Sequence, residues 1–288
     1  MTTSSRLPVQ KTYKLYIGGA FPRTESGRFY KVKSGRGACI ANMSRASRKD
    51  FRNAVVAARK AFPGWAKRSA YNRAQILYRV AEILETRRDQ FITELKAQGL
   101  PIAEARTEVD QSIDRLVYYA GWADKYQQLF STVNPVSSSH FNFSILEPTG
   151  VVGIVAPSDQ SLLGLVSTIA PVVAGGNSCV VLASKARPLC SITFAEVLAT
   201  SDCPGGVVNI LTGFRNELLE QFATHMDVNA VVYCGTRKAE LKTIQEGAAL
   251  NVKRVVHRPD DWSLSKNQGP YHILDTLETK TTWHPIGV

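Results

Sequence analysis

The stretch Val151-Val-Gly-Ile-Val155 decides the fold, because it is the first of several short apolar runs in the second half of the chain. Similar runs follow at residues 179–183, 207–211, 230–234 and 252–257, and helical patterns separate them at 161–173, 188–200, 216–225 and 238–250. Near-continuous apolar strands that alternate with helices indicate a parallel sheet covered on both faces. The sequence therefore predicts an α/β fold with a Rossmann-like, doubly wound parallel sheet over residues 151–258, which binds ligands at the carboxyl ends of its strands.

The first 135 residues predict a hairpin followed by helices that pack on this sheet. A hairpin is expected over residues 13–33, because alternating residues flank the turn signal Gly18-Gly19, and residues 34–46 are expected to form a loop. Ser47, with Asp50 three residues on, has capping-box spacing and predicts a helix start. Amphipathic periodicity predicts helices from Ser47 to Pro63-Gly64, from Ser69 to Gly99 and from Pro101 to about Phe130.

Two further stretches have the pattern of half-exposed strands. Residues 136–150 are expected to form an extended arm, and Leu277-Glu-Thr-Lys-Thr-Thr-Trp-His-Pro-Ile286 alternates β-branched or aromatic residues with polar ones. An isolated strand cannot satisfy its own backbone donors and acceptors. The segment 272–288 must therefore add to another sheet, and residues 259–271 are expected to be the loop that leads to it.

Composition argues against several classes of function. No apolar run in the 288 residues is long enough to span a bilayer, which takes about 18 residues, so no membrane association is expected. Residues 1–8 lack the apolar segment of a signal peptide, and a cytoplasmic protein is expected. The five cysteines have no CxxC spacing and the five histidines no HExxH or paired spacing, so no metal site is predicted.

The net charge of +11 is concentrated in the N-terminal part of the chain. Residues 1–60 contain 14 Lys and Arg against two acidic residues, Glu25 and Asp50, whereas the remainder is close to neutral. Such a segment can meet nucleic acid or an acidic partner. It lacks the aromatic motif of an RNA-recognition sheet and a helix-turn-helix signature, so a solvated basic face is the preferred interpretation and nucleic-acid binding the weaker one.

Six motifs are more specific than the periodicity. They are Leu15-Tyr-Ile-Gly-Gly19, Ala58-Arg-Lys-Ala-Phe-Pro-Gly-Trp-Ala66, Glu147-Pro-Thr-Gly-Val-Val-Gly-Ile-Val-Ala-Pro157, Ala174-Gly-Gly-Asn177, Cys203-Pro-Gly-Gly-Val-Val-Asn-Ile-Leu-Thr-Gly213 and Gln245-Glu-Gly-Ala-Ala249. In residues and order they resemble the aldehyde dehydrogenase superfamily over roughly residues 13–257. The resemblance implies an NAD(P)-binding Rossmann domain, a catalytic domain and a three-stranded antiparallel oligomerisation arm. Residues 136–150 match the first two arm strands, and Leu277-Glu-Thr-Lys-Thr-Thr-Trp283 resembles the third.

The same resemblance indicates that the catalytic domain is absent. In the family it separates the fifth strand from the terminal strand by a couple of hundred residues, whereas here about twenty lie between them. The nucleophilic cysteine belongs downstream of the fifth strand, where no cysteine follows Cys234. The general-base position holds Arg258, which cannot accept a proton near neutral pH. The oxyanion-donor position holds Asp159, whose charge would repel an oxyanion. Asp260 and Asp261 are conceivable substitute bases, although exposed loop carboxylates are the commoner interpretation.

The positions that bind cofactor in the family are also altered. Lys185 is shifted by two positions from the family's lysine, and the carboxylate for the ribose hydroxyls is missing. Gly235 and Thr236 remain from the motif that precedes the pyrophosphate-binding helix, but the second glycine is lost and Glu240 near the helix start repels phosphate. Pro157, Lys185, Gly235 and Thr236 are therefore expected to form a vestigial site. No cofactor is expected to bind, and NAD or NADP are the only candidates.

These departures predict a non-catalytic subunit, a pseudoenzyme, that assembles with a full-length, active NAD(P)-dependent aldehyde dehydrogenase as a structural or regulatory partner. The chain is similar to the degenerate second copy fused to the active copy in some two-domain members. Family arms extend the catalytic-domain sheet of a neighbouring subunit, and a copy of this chain offers no such sheet. The alternative is an NAD(P)-dependent oxidoreductase with residual cofactor binding or activity on aldehydes. The expected interface residues are Phe143, Ile145, Leu277, Thr279, Thr281, Trp283 and Ile286.

Overall fold

The computed structural model describes residues 9–287, so the expectation about a signal segment in residues 1–8 and anything about residue 288 lie outside the described part. The N-terminal strands are β1 (Thr12–Tyr13), β2 (Phe29–Lys33) and β3 (Cys39–Ser44). They form a sheet in the order β1-β3-β2, in which β3 is parallel to β1 and antiparallel to β2. The predicted hairpin is therefore wrong, and the predicted loop at 34–46 contains the central strand.

The segment around the Gly18-Gly19 turn has a different partner. Tyr16 exchanges two backbone hydrogen bonds with Ile210, at 3.0 and 2.8 Å, so this segment borders the large sheet instead of pairing with β2. A Cβ on Gly19 would lie 2.8 Å from the Cα of Gly205. The glycine pair thus permits a close backbone approach, a role that the sequence pattern does not distinguish from a hairpin turn.

The helices that follow are α1 (Arg48–Ala66), α2 (Ala70–Thr86), α3 (Arg88–Ala97), α4 (Ile102–Trp122) and α5 (Tyr126–Phe130). The predicted capping box is confirmed, because the Ser47 hydroxyl accepts from the Asp50 backbone and the Asp50 carboxylate accepts from the Ser47 backbone. Pro63 lies inside α1 instead of ending it, at a position near the C-terminus where the missing N–H forfeits a single helical bond. The second and third predicted helices are each interrupted, at Arg87 and at residues 123–125.

The parallel sheet is the centre of the molecule. After β4 (Thr132–Asn134) and β5 (His140–Pro148), its strands are β6 (Val151–Val155), β7 (Ser178–Leu182), β8 (Val208–Leu211), β9 (Ala230–Tyr233) and β10 (Arg254–His257). Their order is β10-β9-β6-β7-β8, and α6 (Leu163–Ala174), α7 (Leu189–Ala199), α8 (Arg215–Thr224) and α9 (Lys238–Ala249) connect them. Strands β6 to β9 are buried along their whole length, which explains their continuous apolar runs. The predicted doubly wound fold is confirmed.

The connection from β10 to the last strand, residues 258–276, is folded and packed. It contains a 3-10 turn (Ser265–Asn267) and the short helix α10 (Tyr271–Leu274). Trp262 is 2% exposed and lies over α6, where a Cβ on Gly164 would be 3.3 Å from its ring. Arg115 donates to the Trp262 carbonyl at 2.9 Å, and Ile273 is fully buried. The predicted loop is irregular over most of its length, but Trp262 anchors it in the hydrophobic core.

The last strand, β11 (Leu277–Pro285), pairs antiparallel with β5, which pairs antiparallel with β4. The predicted three-stranded antiparallel arm is thus present, in the order β11-β5-β4. It begins at Thr132, before the predicted start at residue 136. The other edge of β11 has no strand neighbour within residues 9–287.

Candidate functional site

The carboxyl ends of β6, β9 and β10 enclose a cavity of about 370 Å³. Strands β7 and β8 are added on one side of β6, and β9 and β10 on the other. Doubly wound sheets bind ligands at such a topological switch point. Pro157, Gly235 and Thr236 line the cavity together with Asp159. Three of the four predicted cofactor-binding residues therefore lie together at the expected place.

Lys185 lines a second cavity, also of about 370 Å³. Its Nζ lies 4.2 Å from the centroid of the Phe214 ring, within the range of a cation–π contact. Ser158, Arg215 and Arg237 line both cavities and therefore form the boundary between them. This boundary separates Lys185 from the other predicted cofactor-binding residues.

Arg215, at the start of α8, is held in the boundary by two contacts. Its Nη2 donates to the Ala156 carbonyl at 2.6 Å. Its Nη1 lies 3.5 Å from the Glu240 Oε2, and this ion pair is called the Arg215–Glu240 bridge. The Tyr233 hydroxyl donates to the same carboxylate oxygen at 2.7 Å. Burial and the hydrogen bond to Glu240 raise the pKa of Tyr233 to about 12, so the phenol keeps its proton.

A dinucleotide needs the first turn of α9 to be open to its pyrophosphate, because a helix N-terminus binds phosphate through its backbone donors and dipole. In this chain Glu240 lies in that turn, with only 17% of its side chain exposed. The Tyr233 ring covers Gly235, since a Cβ on Gly235 would lie 2.3 Å from the Tyr233 hydroxyl oxygen. The residues at the cleft therefore do not fit NAD or NADP.

The two degenerate catalytic positions differ in their surroundings. Asp159 is exposed at the cavity and faces solvent. Arg258 is directed to Asp275, with its Nε 2.9 Å from Asp275 Oδ2. Arg258 therefore fastens the connection 258–276 to the end of β10.

The other candidate reactive groups in this region are unsuited to the family's chemistry. Hydrogen bonds from Ser263 and Gln160 hold the pKa of Asp261 below its usual range, which makes it a poor base. Cys234 lines the cavity, but burial raises its pKa to about 12. A thiol of that pKa is protonated at neutral pH and is a weak nucleophile.

The structure divides the predicted interface residues of the arm between two faces. Phe143 lies opposite Thr282 and Val133, and Ile145 lies on the same face of the arm. Thr279, Thr281 and Trp283 lie on the other face, since alternate residues of a strand point to opposite sides.

Two predicted interface residues lie outside these faces. Ile286 follows the end of β11 and is 53% exposed. Leu277 is only 3% exposed and packs in the core of the chain itself. Its assignment to the interface is wrong, because it begins the strand at the point where the arm meets the Rossmann-like domain.

Sequence reasoning missed Arg215 and Tyr233, which shape the cleft. They follow β8 and end β9, and only the folded sheet brings them to Glu240. No spacing rule connects residues from such separate elements, so the sequence held no signal for this cluster.

Neither a metal site nor a membrane span is found in the part of the chain that the structure describes. No group of three or more His, Cys, Asp and Glu residues among residues 9–287 is arranged to hold a metal ion. No described helix has both the length and the apolar character needed to cross a bilayer.

Comparison with known proteins identifies relatives. Cytosolic 10-formyltetrahydrofolate dehydrogenase of Mus musculus is 32% identical over 256 residues, covering 87% of this chain and 28% of that protein. Mitochondrial benzaldehyde dehydrogenase of Antirrhinum majus is 32% identical over 255 residues, covering 86% of this chain and 47% of that protein. The chain thus spans half or less of the length of these curated relatives.

Solved structures agree with the fold. The NAD+ complex of aldehyde dehydrogenase from Bacillus cereus matches with a TM-score of 0.81 and 26% identity, covering 85% of this chain and 50% of that chain. PnpE from Pseudomonas sp. WBC-3 matches with a TM-score of 0.81 and 28% identity over the same shares. The model of the aldehyde dehydrogenase family matches residues 21–258, and this chain belongs to that family.

Proposed function

We propose that this chain is a non-catalytic aldehyde dehydrogenase subunit that assembles with a full-length, active NAD(P)-dependent aldehyde dehydrogenase as its structural or regulatory partner. One observation carries the proposal: the arm is present, while residues 258–276 join β10 directly to β11. Family architecture places a catalytic domain between these two strands. The chain therefore retains the assembly element without the domain on which such an element packs in a neighbouring subunit.

The arm has the surface expected of an interface. Val133 is 68% exposed, Phe141 45% and Ile145 37%, and these side chains share one face with Phe143. Contiguous exposed apolar residues commonly mark interaction sites. The free edge of β11 adds a row of backbone donors and acceptors, which in an unpaired strand invites aggregation.

A partner that owns a catalytic domain accounts for both features. A second copy of this chain would bring another arm but no catalytic-domain sheet on which the arm could pack. We place the main contact at Phe143 and Ile145, and further contacts along β11 at Thr279, Thr281, Trp283 and Ile286. We propose a cytoplasmic location for the assembly, as for the cytosolic relative of Mus musculus, whereas the Antirrhinum majus relative is mitochondrial.

The chemistry of the cleft favours a subunit without dehydrogenase activity of its own. The thiol of Cys234 is protonated at neutral pH, and Arg258 stands at the general-base position, where its guanidinium binds Asp275. We therefore assign the oxidoreductase activity of the complex to the partner.

Coexpression tests this proposal. The chain is produced with each full-length aldehyde dehydrogenase of the same cell in turn, and mixed oligomers are measured by native mass spectrometry. We expect a mixed species with one of them. The double variant Phe143→Asp/Ile145→Asp should weaken it by at least about tenfold, which corresponds to about 1.4 kcal/mol.

The matched control carries the same change on another exposed apolar surface. Tyr78 and Val117 are 52% and 41% exposed on α2 and α4, so Tyr78→Asp/Val117→Asp should leave the mixed species intact. A stable homo-oligomer of the chain, with no mixed species for any partner, would contradict the proposal. If both double variants weakened the mixed species equally, the arm could not be the interface that the proposal names.

A further inference from the structure

We infer that the Arg215–Glu240 bridge is a built-in closure of the dinucleotide cleft, in which the chain's own carboxylate occupies the phosphate position at the start of α9. This inference deepens the proposed function, because it names the contact that keeps the subunit free of cofactor. It rests on the surroundings of Glu240 and on the shape of the cleft.

The Glu240 carboxylate is bound much as a phosphate would be. Its Oε2 accepts from the Tyr233 hydroxyl at 2.7 Å and lies 3.5 Å from Arg215. Its Oε1 lies 3.6 Å from Arg237. Two guanidinium groups and a phenol thus surround an internal anion in the first turn of a helix, where an external anion would otherwise be stabilised.

The bridge also divides the cleft. Arg215 lines both cavities, and its contacts with the Ala156 carbonyl and with Glu240 hold it between them. A dinucleotide has two nucleotide halves joined by a pyrophosphate, and one that reached both Pro157 and Lys185 would extend through both cavities. The bridge lies at the boundary that it would cross, where Glu240 repels the charge of the pyrophosphate.

Loss of the carboxylate has two consequences. It removes a negative charge from the start of α9, and it frees Arg215 to donate to an incoming phosphate. Loss of the arginine has a different effect, because the carboxylate stays and its cationic partner is gone. Substitution of Glu240 is therefore expected to improve nucleotide binding, whereas substitution of Arg215 is not.

Binding of NADH, followed by its fluorescence, and of ADP-ribose, followed by calorimetry, distinguishes these cases. We expect no saturable binding to the unaltered chain up to about 1 mM ligand. Glu240→Gly should bind both ligands at least about tenfold more tightly, and Glu240→Gln should show a smaller gain, since it removes the charge but keeps much of the volume. Arg215→Ala should show no gain.

The matched control is Glu246→Gly on the same helix, where the side chain is 67% exposed, and it should show no gain. Saturable binding of NADH to the unaltered chain below about 1 mM would overturn the inference, as would a folded Glu240→Gly variant that fails to bind. If Glu240→Gly does not fold, Glu240→Gln decides the question in the same way. All titrations use the isolated chain, so they fail independently of the assembly experiment.

Discussion

At the residue scale, two of the side chains at positions matched to family chemistry, Arg258 and Glu240, make structural contacts within the chain. The sequence identifies Arg258 and Glu240 as departures from the family pattern by their places in the motifs, and these assignments stay predictions. It does not predict that Arg258 binds Asp275 or that Glu240 binds Arg215. Such partners come from other elements and become visible only once the sheet has placed them side by side.

His272 makes the stability of the connection 258–276 sensitive to pH. Its Nδ1 lies 3.1 Å from the Tyr119 hydroxyl, and its ring packs edge-on against Trp262. Burial and the neighbouring guanidinium charges lower the pKa of His272 to about 4. The unfolded chain binds this proton near pH 6.5, so the full stability is present above that pH and is lost as the pH falls toward 4. Between pH 7 and pH 5 this group should lower the free energy of unfolding by about 2 kcal/mol.

Urea unfolding at pH 7 and pH 5 measures this effect. The variant His272→Phe keeps an aromatic ring and removes the titrating group. Its free energy of unfolding should therefore fall by about 2 kcal/mol less than that of the unaltered chain between pH 7 and pH 5. His284 is exposed on β11, and His284→Phe should change the pH dependence little. An unaltered pH dependence in His272→Phe would show that its imidazole does not govern the acid sensitivity.

At the element scale, the sequence predicts those strands and helices whose own residues determine them, and fails for those that depend on their neighbours. Strands β6 to β9 are buried on both faces, so their own composition identifies them. The sequence does not predict strand β3, because its strand character depends on pairing with β1 and β2. The start of the arm is predicted too late, because the three residues of β4 are too few to show alternation. The packed connection 258–276 was missed because one buried tryptophan in a polar segment has no periodicity.

Trp262 tests whether this connection is part of the core. Its side chain is 2% exposed, and replacement of a buried large aromatic residue by alanine costs about 3–5 kcal/mol. We expect Trp262→Ala to lower the free energy of unfolding by that order, measured by urea denaturation. Leu264 is 42% exposed in the same segment, and Leu264→Ala should cost no more than about 0.5 kcal/mol. Equal costs for the two variants would mean that the segment only spans the gap between β10 and β11.

At the scale of the whole molecule, the basic charge of residues 1–60 is partly neutralised by the second half of the chain. Arg28 and Arg45 both pair with Glu217 on α8, and Arg59 pairs with Asp227. Further pairs link Lys11 to Glu196 and Arg48 to Glu220. Part of the charge excess therefore faces acidic residues of the second half of the chain, which favours the interpretation of a solvated basic face over a nucleic-acid site.

Binding of duplex DNA at increasing salt tests that interpretation. Lys31, Lys33 and Arg36 are exposed on and beside β2, and three phosphate contacts would give a log–log salt slope of about −3. We expect only weak binding, followed by fluorescence anisotropy, that is lost near physiological salt and abolished in the variant Lys31→Glu/Lys33→Glu/Arg36→Glu. A slope steeper than about −6, with binding that survives in this variant, would show that other exposed basic residues of the segment, such as Lys14, Arg23 and Lys60, also contact phosphate. The charge of residues 1–60 would then bind a polyanion, which would contradict the interpretation of a solvated basic face.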